Sequence, residues 1–579
     1  MSLNSNPQAW AIGYTNVKEF GTIQLSQAAE VNTSGERGGE ITVQARSLQL
    51  SDKSRLISLT QGSQDGGAIA INATDSVTLT GNGNYAETLL RFVSGNLGSS
   101  DLINGVFSFT FGSGAAGDIV VNTSSFLAQN GVFFLTSTFG SGAGGNLTLN
   151  ASNSVDLRAA SLFAGNAVGS SGNAGALTIN TSFFKAQDIA LASTSNFGQG
   201  EAGSLNVNAL QLVELVGNNI IIFGNDNIIG TGLFTSSSGD LKGGDLNVQT
   251  EKLLITNGAN IGSNTIGNGI GGNITINARE STEVRGLSPD GRFNSSITAY
   301  GLAQGGNLKI TTGNLTIKDI GSISVSSQNN AGNLEIVADS IKLDNRASIS
   351  ARSIAGEGGN IRIGTSPLEL RHNSLISATA GLLGGNGNGG NVSINTDTLV
   401  ALENSRIVAN AFNGDGGNID ITTQGRFFSP DSQISASSVL GVDGVVEVRT
   451  LGFDVKNSLV SLKSNVVSSE QVIASSCLSQ RNAEQGSFTV TGTGGLPRNP
   501  YDAMSSWYEL ATVRQEDGKN SSSSSLVPPD SSQLSRSWKL GDRIVEAQGI
   551  VVLPDGRKLL GTLPSANLSQ ASAQVCHQD

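Results

Sequence analysis

Apolar and polar residues alternate in short stretches along most of the chain, and these stretches recur at a near-constant spacing. Each begins with a phrase made of a small-residue pair, a polar residue and alternating apolar positions, such as GGNITI from Gly271. Fourteen copies occur, with the second residue of the pair at positions 39, 67, 117, 145, 175, 203, 244, 272, 306, 332, 359, 390, 417 and 444. Most gaps measure 26–34 residues, and the one gap of 50 is expected to hold two repeats, one of which has lost the phrase. A fixed period of this length predicts a repeat architecture.

One period contains three short strands. In the copy that begins at Ala331, apolar residues alternate with polar ones over 334–336, 341–343 and 349–351, with turn residues between them. No copy holds a stretch of about ten residues with helical periodicity, so leucine-rich, ankyrin and tetratricopeptide arrays are excluded. A propeller blade needs four strands and a longer period. The pattern therefore predicts an all-β fold: a right-handed single-stranded parallel β-helix, a solenoid of about 14–15 coils, followed by a mixed, partly disordered C-terminal cap region.

Stacked coils place equivalent residues above one another, so the apolar positions should form one continuous core. The positions expected to point inward include Leu334, Ile336, Ile341, Leu343, Ile361, Ile363, Leu368 and Ile394. The glycine pair predicts a tight corner that needs either a positive φ or a close approach of two backbones. An Asn or Asp follows the pair at positions 118, 146, 245, 273, 307, 333, 360, 391 and 418. These side chains predict a hydrogen-bonded structural ladder, with ligand binding as the alternative.

Some segments are expected to depart from the plain stack. The longer segments 210–242 and 281–301 should loop off the shaft, and loops on a rigid scaffold often carry specific contacts. Residues 1–37 alternate like another coil rather than like a polar cap, so the shaft is expected to begin at an open edge. Such an edge should associate end to end unless further sequence upstream covers it.

The repeat fades toward the C-terminus, which divides the chain into four parts. Residues 1–455 form the predicted β-helix shaft. Residues 456–519 form a C-terminal cap or tail block with aromatic residues and prolines that the shaft avoids. Residues 520–537 are a Ser-rich linker, and residues 538–579 are a terminal β-hairpin segment with the turn sequence PDG. The expected role of the C-terminal parts is to shield the last coil.

Composition restricts the classes of function. Glycine contributes 75 of 579 residues, charged residues only 14%, and the net charge of −12 is spread thinly. A chain without a basic face is not expected to bind nucleic acid or anionic membranes. Since no apolar run reaches about 18 residues, no membrane-spanning segment is expected. The first residues show no visible signal peptide, because a basic region followed by an apolar stretch is missing.

Few residues offer chemistry. The two cysteines, Cys477 and Cys576, predict at most one disulfide, with two unrelated thiols as the alternative. The two histidines, His372 and His577, are too few and too far apart for a zinc site. Acidic residues occur singly in turns, whereas polysaccharide-cleaving enzymes of this fold need clustered carboxylates or an Asp with a patch of Arg or Lys. We therefore expect no catalytic residue, no metal and no cofactor.

Several sequences resemble one family. The GGNITI-type phrases and the strand ends Ile376-Ser377-Ala378 and Ile434-Ser435-Ala436 resemble filamentous haemagglutinin-like proteins, the large exoproteins of two-partner secretion. The tail sequences ASSCLSQRNAEQGSFTVTGTGGLPRNPYDAM, residues 474–504, and VEAQGIVV, residues 545–552, resemble the tail block of the cyanobacterial members. The resemblance covers nearly the whole chain, and the tail block is its more specific part. Family members also carry a signal peptide and a secretion domain with NPxG-type motifs, and Asn6-Pro7 lacks that context.

The resemblance implies a non-enzymatic adhesin or structural rod that is secreted or exposed at the outer-membrane surface. A full-length form would be exported by a dedicated outer-membrane transporter and would contact cell-surface glycan or protein ligands. Because the secretion domain is not recognisable, we expect a fragment or a truncated gene product. The alternatives are a polysaccharide-binding or polysaccharide-degrading β-helix protein similar to pectate lyases, and a scaffold of the cell envelope.

Overall fold

The computed structural model describes residues 2–6, 9–13, 17–94, 96, 101–218, 220–223, 227–450, 549–552 and 558–561. The described residues are nearly all β, with 56% of them in strands and 2% in helix. Its contacts divide the chain into two units, Met1–Asn465 and Val466–Asp579, which are described separately.

The strands of the first unit stack in parallel. Leu334–Asp344, for example, pairs with Leu308–Lys318 of the preceding repeat and with Ile361–Thr365 of the following one. About 15 turns stack in this way, which confirms the predicted parallel β-solenoid, whereas its right-handed sense stays a prediction. We number the coils from the N-terminus. Coil 1 comprises residues 22–32, and coils 2 to 15 each begin at the second residue of a phrase.

Each coil has three sides. The first and second sides come from one long strand that turns a corner at a shift of register, and the third side comes from a shorter strand after the next turn. The strands of the first two sides are Thr22–Leu25, Ile41–Leu50, Ile69–Thr80, Leu177–Gln187, Leu205–Val216, Leu246–Thr256, Ile274–Arg285, Leu308–Lys318, Leu334–Asp344, Ile361–Thr365, Leu368–Leu370, Val392–Ala401, Ile419–Phe428 and Val446–Thr450. Those of the third side are Glu30–Asn32, Arg55–Thr60, Gly105–Thr110, Leu191–Ser193, Gly232–Ser237, Asn260–Thr265, Ser296–Gly301, Ser322–Ser327, Ser348–Ser353, Leu375–Ser377, Arg406–Val408 and Gln433–Ser435. Two strands, Ile119–Thr138 and Leu147–Asn166, run through all three sides.

The core confirms the predicted inward positions. All eight residues named from the repeat are at most 1% exposed. Buried and exposed residues alternate along each strand, and the buried ones form one continuous cluster between Ile41 and Ala436. Burial of each Ile or Leu side chain stabilises the fold by about 1.5–3 kcal/mol, so the stacked apolar positions are the main source of stability.

The second glycine of each pair lies where the backbones of successive coils meet. A Cβ added to Gly332 would lie 2.0 Å from the carbonyl oxygen of Gly306, the glycine that precedes it in the stack. The equivalent distance is 1.8–2.2 Å at Gly117, Gly145, Gly175, Gly203, Gly244, Gly272, Gly306, Gly359, Gly390, Gly417 and Gly444. None of these glycines has a positive φ. Close backbone approach, rather than a left-handed conformation, is therefore what the corner requires.

The gap of 50 residues holds one coil, and the prediction of two is wrong. Strand Ile69–Thr80 pairs directly with Ile119–Thr138 of the next coil. The extra residues fall within 81–104, between strands Ile69–Thr80 and Gly105–Thr110, and include helix α1, Tyr85–Val93. The sequence-based interpretation failed because the length of a gap does not distinguish an inserted element from an additional coil.

The two longer segments leave the shaft over shorter spans than predicted. Within 210–242, shaft strand Leu205–Val216 ends and shaft strand Gly232–Ser237 follows, with an antiparallel hairpin of Ile220–Phe223 and Asn227–Gly230 between them. Within the second segment only residues 286–295 leave the shaft. Each predicted segment begins within one shaft strand and contains a second one, and the alternating apolar residues of these strands were included in the predicted loops.

Two further hairpins lie outside the stack. Ser2–Asn6 pairs antiparallel with Ala9–Gly13. In the second unit, Gly549–Val552 pairs antiparallel with Lys558–Gly561, on either side of the PDG sequence. The predicted tail block and Ser-rich linker lie outside the described residues.

Candidate binding face

The three outer sides of the shaft differ in chemistry. On the first side, the side chains that point outward from the strands of coils 2–9 are all uncharged. On the second side, charged side chains form pairs between coils, as where Lys185 Nζ lies 3.0 Å from a carboxylate oxygen of Glu214. On the third side, helix α1 covers an apolar surface. The first side is therefore the candidate for binding an uncharged ligand.

An amide side chain occupies the same outward position of the first side in eight successive coils. The members of this amide row are Gln44, Asn72, Asn122, Asn150, Asn180, Asn208, Gln249 and Asn277. Each asparagine from Asn122 to Asn208 donates a side-chain N–H to the side-chain oxygen of the preceding member, at 2.8–2.9 Å. The parallel register creates this ladder because it stacks identical side chains at the spacing of adjacent strands, about 4.8 Å.

The ladder leaves part of the hydrogen-bonding capacity of each amide unused. A primary amide has two N–H donors and a carbonyl oxygen with two lone pairs. Inside the ladder, each amide uses one donor and one lone pair, so one of each remains. The bonds between neighbours also hold the side-chain rotamers, which lowers the entropy that a ligand would have to remove on binding. The row is therefore an ordered series of donors and acceptors.

In coils 5–9 the row widens into a face. The other outward position of the first side carries Thr148, Thr178, Asn206, Asn247 and Thr275. These five residues and the row members of the same coils, Asn150, Asn180, Asn208, Gln249 and Asn277, are named the amide face. None of the ten is charged, and all are at least partly exposed. A groove of about 350 Å³ lies on this face in coils 6–9.

Charge returns where the amide face ends. The outward position that carries Thr275 in coil 9 carries Lys309, Glu335 and Arg362 in the next three coils. Lys309 Nζ lies 3.3 Å from a carboxylate oxygen of Glu335, so these charges partly neutralise one another. The uncharged part of the first side, and with it the amide face, therefore ends at coil 9.

The Asn or Asp after the glycine pair forms the predicted structural ladder. Oδ1 of Asn307 accepts the backbone N–H of Asn333 at 2.9 Å, and Oδ1 of Asn333 accepts that of Asn360 at 3.1 Å. The same bond to the next coil is made by Asp118, Asn146, Asp245, Asn273, Asn360, Asn391 and Asn418. These oxygens satisfy backbone donors at the corner, which confirms the structural interpretation of this row.

The third side carries a second apolar cluster outside the shaft core. Residues of α1 pack against the outward side chains Phe107 and Phe133. The buried hydroxyl of Tyr85 lies 2.8 Å from Ser161 Oγ and donates to the carbonyl oxygen of Ile189 at 2.9 Å. Burial raises the pKa of Tyr85, so this hydroxyl stays protonated. The helix is thus held on the shaft, and the apolar surface beneath it is occupied.

His372 lies in an ion-paired stack at the turn between the second and third sides. Its Nδ1 lies 2.6 Å from Asp344 of the preceding coil, and its Nε2 lies 3.1 Å from Glu403 of the following coil. Arg371 pairs with Glu403 at 2.6 Å and holds the pKa of that carboxyl below its usual value. Although burial alone would raise the pKa of Asp344, the hydrogen bond and charge of His372 lower it. These contacts favour a role in coil stacking.

We expect Asp344 and Glu403 to lose their stabilising contribution in acid. When the pKa of a carboxyl is lower in the folded than in the unfolded state, the carboxyl stabilises the fold at pH values above its unfolded-state pKa. This contribution falls as the pH drops through its folded-state pKa. The variant Glu403→Gln should therefore melt slightly below the parent at neutral pH, and the difference should vanish in acid. Thermal melting across pH measures it. The control Glu369→Gln removes a carboxylate 4.0 Å from Arg371 and should change less. A difference that persists in acid would contradict the pairing.

The other candidate residues from the sequence are the two cysteines and the second histidine. Cys477, Cys576 and His577 lie outside the described residues. Within the described ranges, no group of three or more His, Cys, Asp or Glu side chains is placed to hold a metal ion. No helix in that part of the chain is long and apolar enough to cross a membrane.

The amide row was missed in the sequence, although its signal is present there. An Asn stands directly after the second apolar residue of the phrase in IAIN, IVVN, LTLN, LTIN, LNVN and ITIN. The Asn after the glycine pair recurs just as often, so frequency in the sequence does not distinguish the two rows. The corner ladder and the amide row can be told apart only from the direction in which their side chains point and from the register of the strands.

The fold and the amide face together define a parallel β-solenoid protein with an uncharged, amide-lined outer face. No family model matches the chain, and neither a curated protein nor a solved structure does.

Proposed function

We propose that the chain is a non-enzymatic adhesive or structural rod of the filamentous haemagglutinin-like type, acting outside the cell or at the outer-membrane surface. One observation carries this proposal: the amide face is rigid, open and rich in hydrogen-bonding groups, but none of its ten residues is a carboxylate, histidine or cysteine. Amides and hydroxyls can hold a ligand, whereas glycoside hydrolysis uses a pair of carboxylates and elimination by a lyase needs a basic group.

The construction of the shaft also supports an adhesive rod. Coils that share one core and are joined by side-chain ladders hold their outer faces in a fixed arrangement over many repeats. A rod of this kind can display a binding surface away from its point of attachment. The tail sequences that resemble two-partner exoproteins further favour this function, with a dedicated outer-membrane transporter as the partner of a full-length form.

Purified protein should release no unsaturated or reducing ends above background from pectin, alginate and related polysaccharides. The reason is that the amide face has no group able to act as a general acid or base near neutral pH. Ultraviolet absorbance and reducing-end assays over a range of pH values measure this. Robust turnover that disappears when one acidic residue is replaced would instead establish the pectate-lyase-like alternative.

Adhesion is measured separately. Labelled protein should be retained on washed bacterial cells and on their extracellular matrix, and an unlabelled excess should displace it. Heat-unfolded protein provides the control for non-specific sticking. Absence of displaceable binding to every such surface would contradict the proposed function.

A further inference from the structure

We propose that the amide face binds an uncharged polysaccharide whose chain lies along the solenoid axis. This inference rests on the proposed function, since it names the class of ligand for the same rod. The amide row runs across the strands and therefore parallel to the axis, over a length of about 34 Å for eight coils. A linear polymer can follow such a row, and the groove in coils 6–9 offers it a depression.

The hydrogen-bonding groups match those of a sugar chain. Each sugar hydroxyl both donates and accepts, and each amide inside the ladder retains one donor and one lone pair. Asn150 and Asn180 are held by bonds to the members before and after them, so their free groups keep a fixed direction. Thr178 and Asn206 add further polar groups beside the row. The polymer thus meets an ordered, repeated pattern.

The charge distribution favours an uncharged polymer over an acidic one. The face contains no cation to pair with a carboxylate or sulfate, and the whole chain carries a net charge of −12. An anionic polymer would lose hydration at this surface without gaining an ionic partner. An extended peptide is also disfavoured, because peptides add to the free edge of a sheet and this face lies across paired strands.

The test measures binding of the full chain to three soluble uncharged polysaccharides: dextran, mixed-linkage β-glucan and galactomannan. Affinity gel electrophoresis should show retardation by at least one of them and none by alginate. Two variants place a carboxylate on the face. Asn180→Asp removes the bond to Asn150, and Thr178→Asp leaves the amide row intact. Each should weaken binding about tenfold or more, since polar contacts are lost and a charge is left unpaired.

Two matched controls separate binding from folding. Asn404→Asp removes an equivalent ladder bond, to Asn373, at a distant turn. Thr316→Asp adds a carboxylate to the second side, in register with Glu283 and Lys342. Both should bind like the parent, and thermal melting should show that all four variants fold.

Three outcomes would overturn the inference. The first is equal binding by the parent and both face variants. The second is retardation by alginate but by no uncharged polysaccharide. The third is self-association through the face, seen as a parent dimer and a Thr178→Asp monomer in sedimentation without polysaccharide. If cells retain the protein while all uncharged polysaccharides fail, the ligand class is wrong and the proposed function survives. Failure on every surface contradicts both.

Discussion

Replacing Ile363 with aspartate should unfold the coils around it and lower the free energy of unfolding by about 3–5 kcal/mol. Ile363 is 1% exposed and lies in the inner row of the first side, opposite Ile336 and Ile394 of the neighbouring coils. A carboxylate there would meet only apolar side chains, so it must either remain unpaired or take up a proton. Both responses oppose folding.

The measurement combines thermal melting by circular dichroism with limited proteolysis, because a solenoid can open locally without unfolding throughout. Ser393→Asp is the matched control. Ser393 points outward in the next coil, opposite Arg362, and a carboxylate there remains in solvent. We expect this variant to melt like the parent and to resist protease. An Ile363→Asp variant that behaved in the same way would mean that the inward assignment is wrong.

Replacing Gly332 with alanine should lower the free energy of unfolding by about 3 kcal/mol. The new Cβ would lie 2.0 Å from the carbonyl oxygen of Gly306, and a backbone atom inside a hydrogen-bonded stack cannot move aside without opening the corner. Gly364→Ala is the control, because a Cβ at that position has no atom within 4 Å. Denaturant unfolding of both variants decides the matter. Equal stability of the two would show that the corner does not require glycine.

The sequence predicts the fold of the shaft because apolar residues recur at every second position, and side chains of a strand point to the same side at that same interval. Residues such as Leu334 and Ile336 alternate with polar neighbours, and that alternation alone decides which side chains face the core. The insertion at 81–104 was not predicted, since an inserted helix adds length without disturbing the phrases on either side. The sequence also left open whether the corner glycines serve a positive φ or a close approach, because close approach is a relation between coils that are distant in sequence.

The candidate site was less accessible to sequence reasoning. The loops were expected to carry binding, but the most ordered uncharged surface lies on the shaft strands themselves. A single Asn, such as Asn150 or Asn180, is an ordinary outward residue. It becomes part of a ladder only when the register stacks it on its equivalents, at 2.8 Å in this pair. Register depends on the packing of whole coils. The sequence pattern therefore shows which residues could form a row, but not which row is exposed to solvent.

The most direct test of a rod that binds without reacting is a crystal structure of the protein with a bound uncharged oligosaccharide. We predict an unbroken sugar chain along the amide face, with its hydroxyls within hydrogen-bonding distance of Asn150, Asn180 and Asn208. Intact glycosidic bonds after prolonged incubation would support binding without cleavage. A sugar bound on the ion-paired second side or at the 217–231 loop, or a cleaved chain in any groove, would contradict the account.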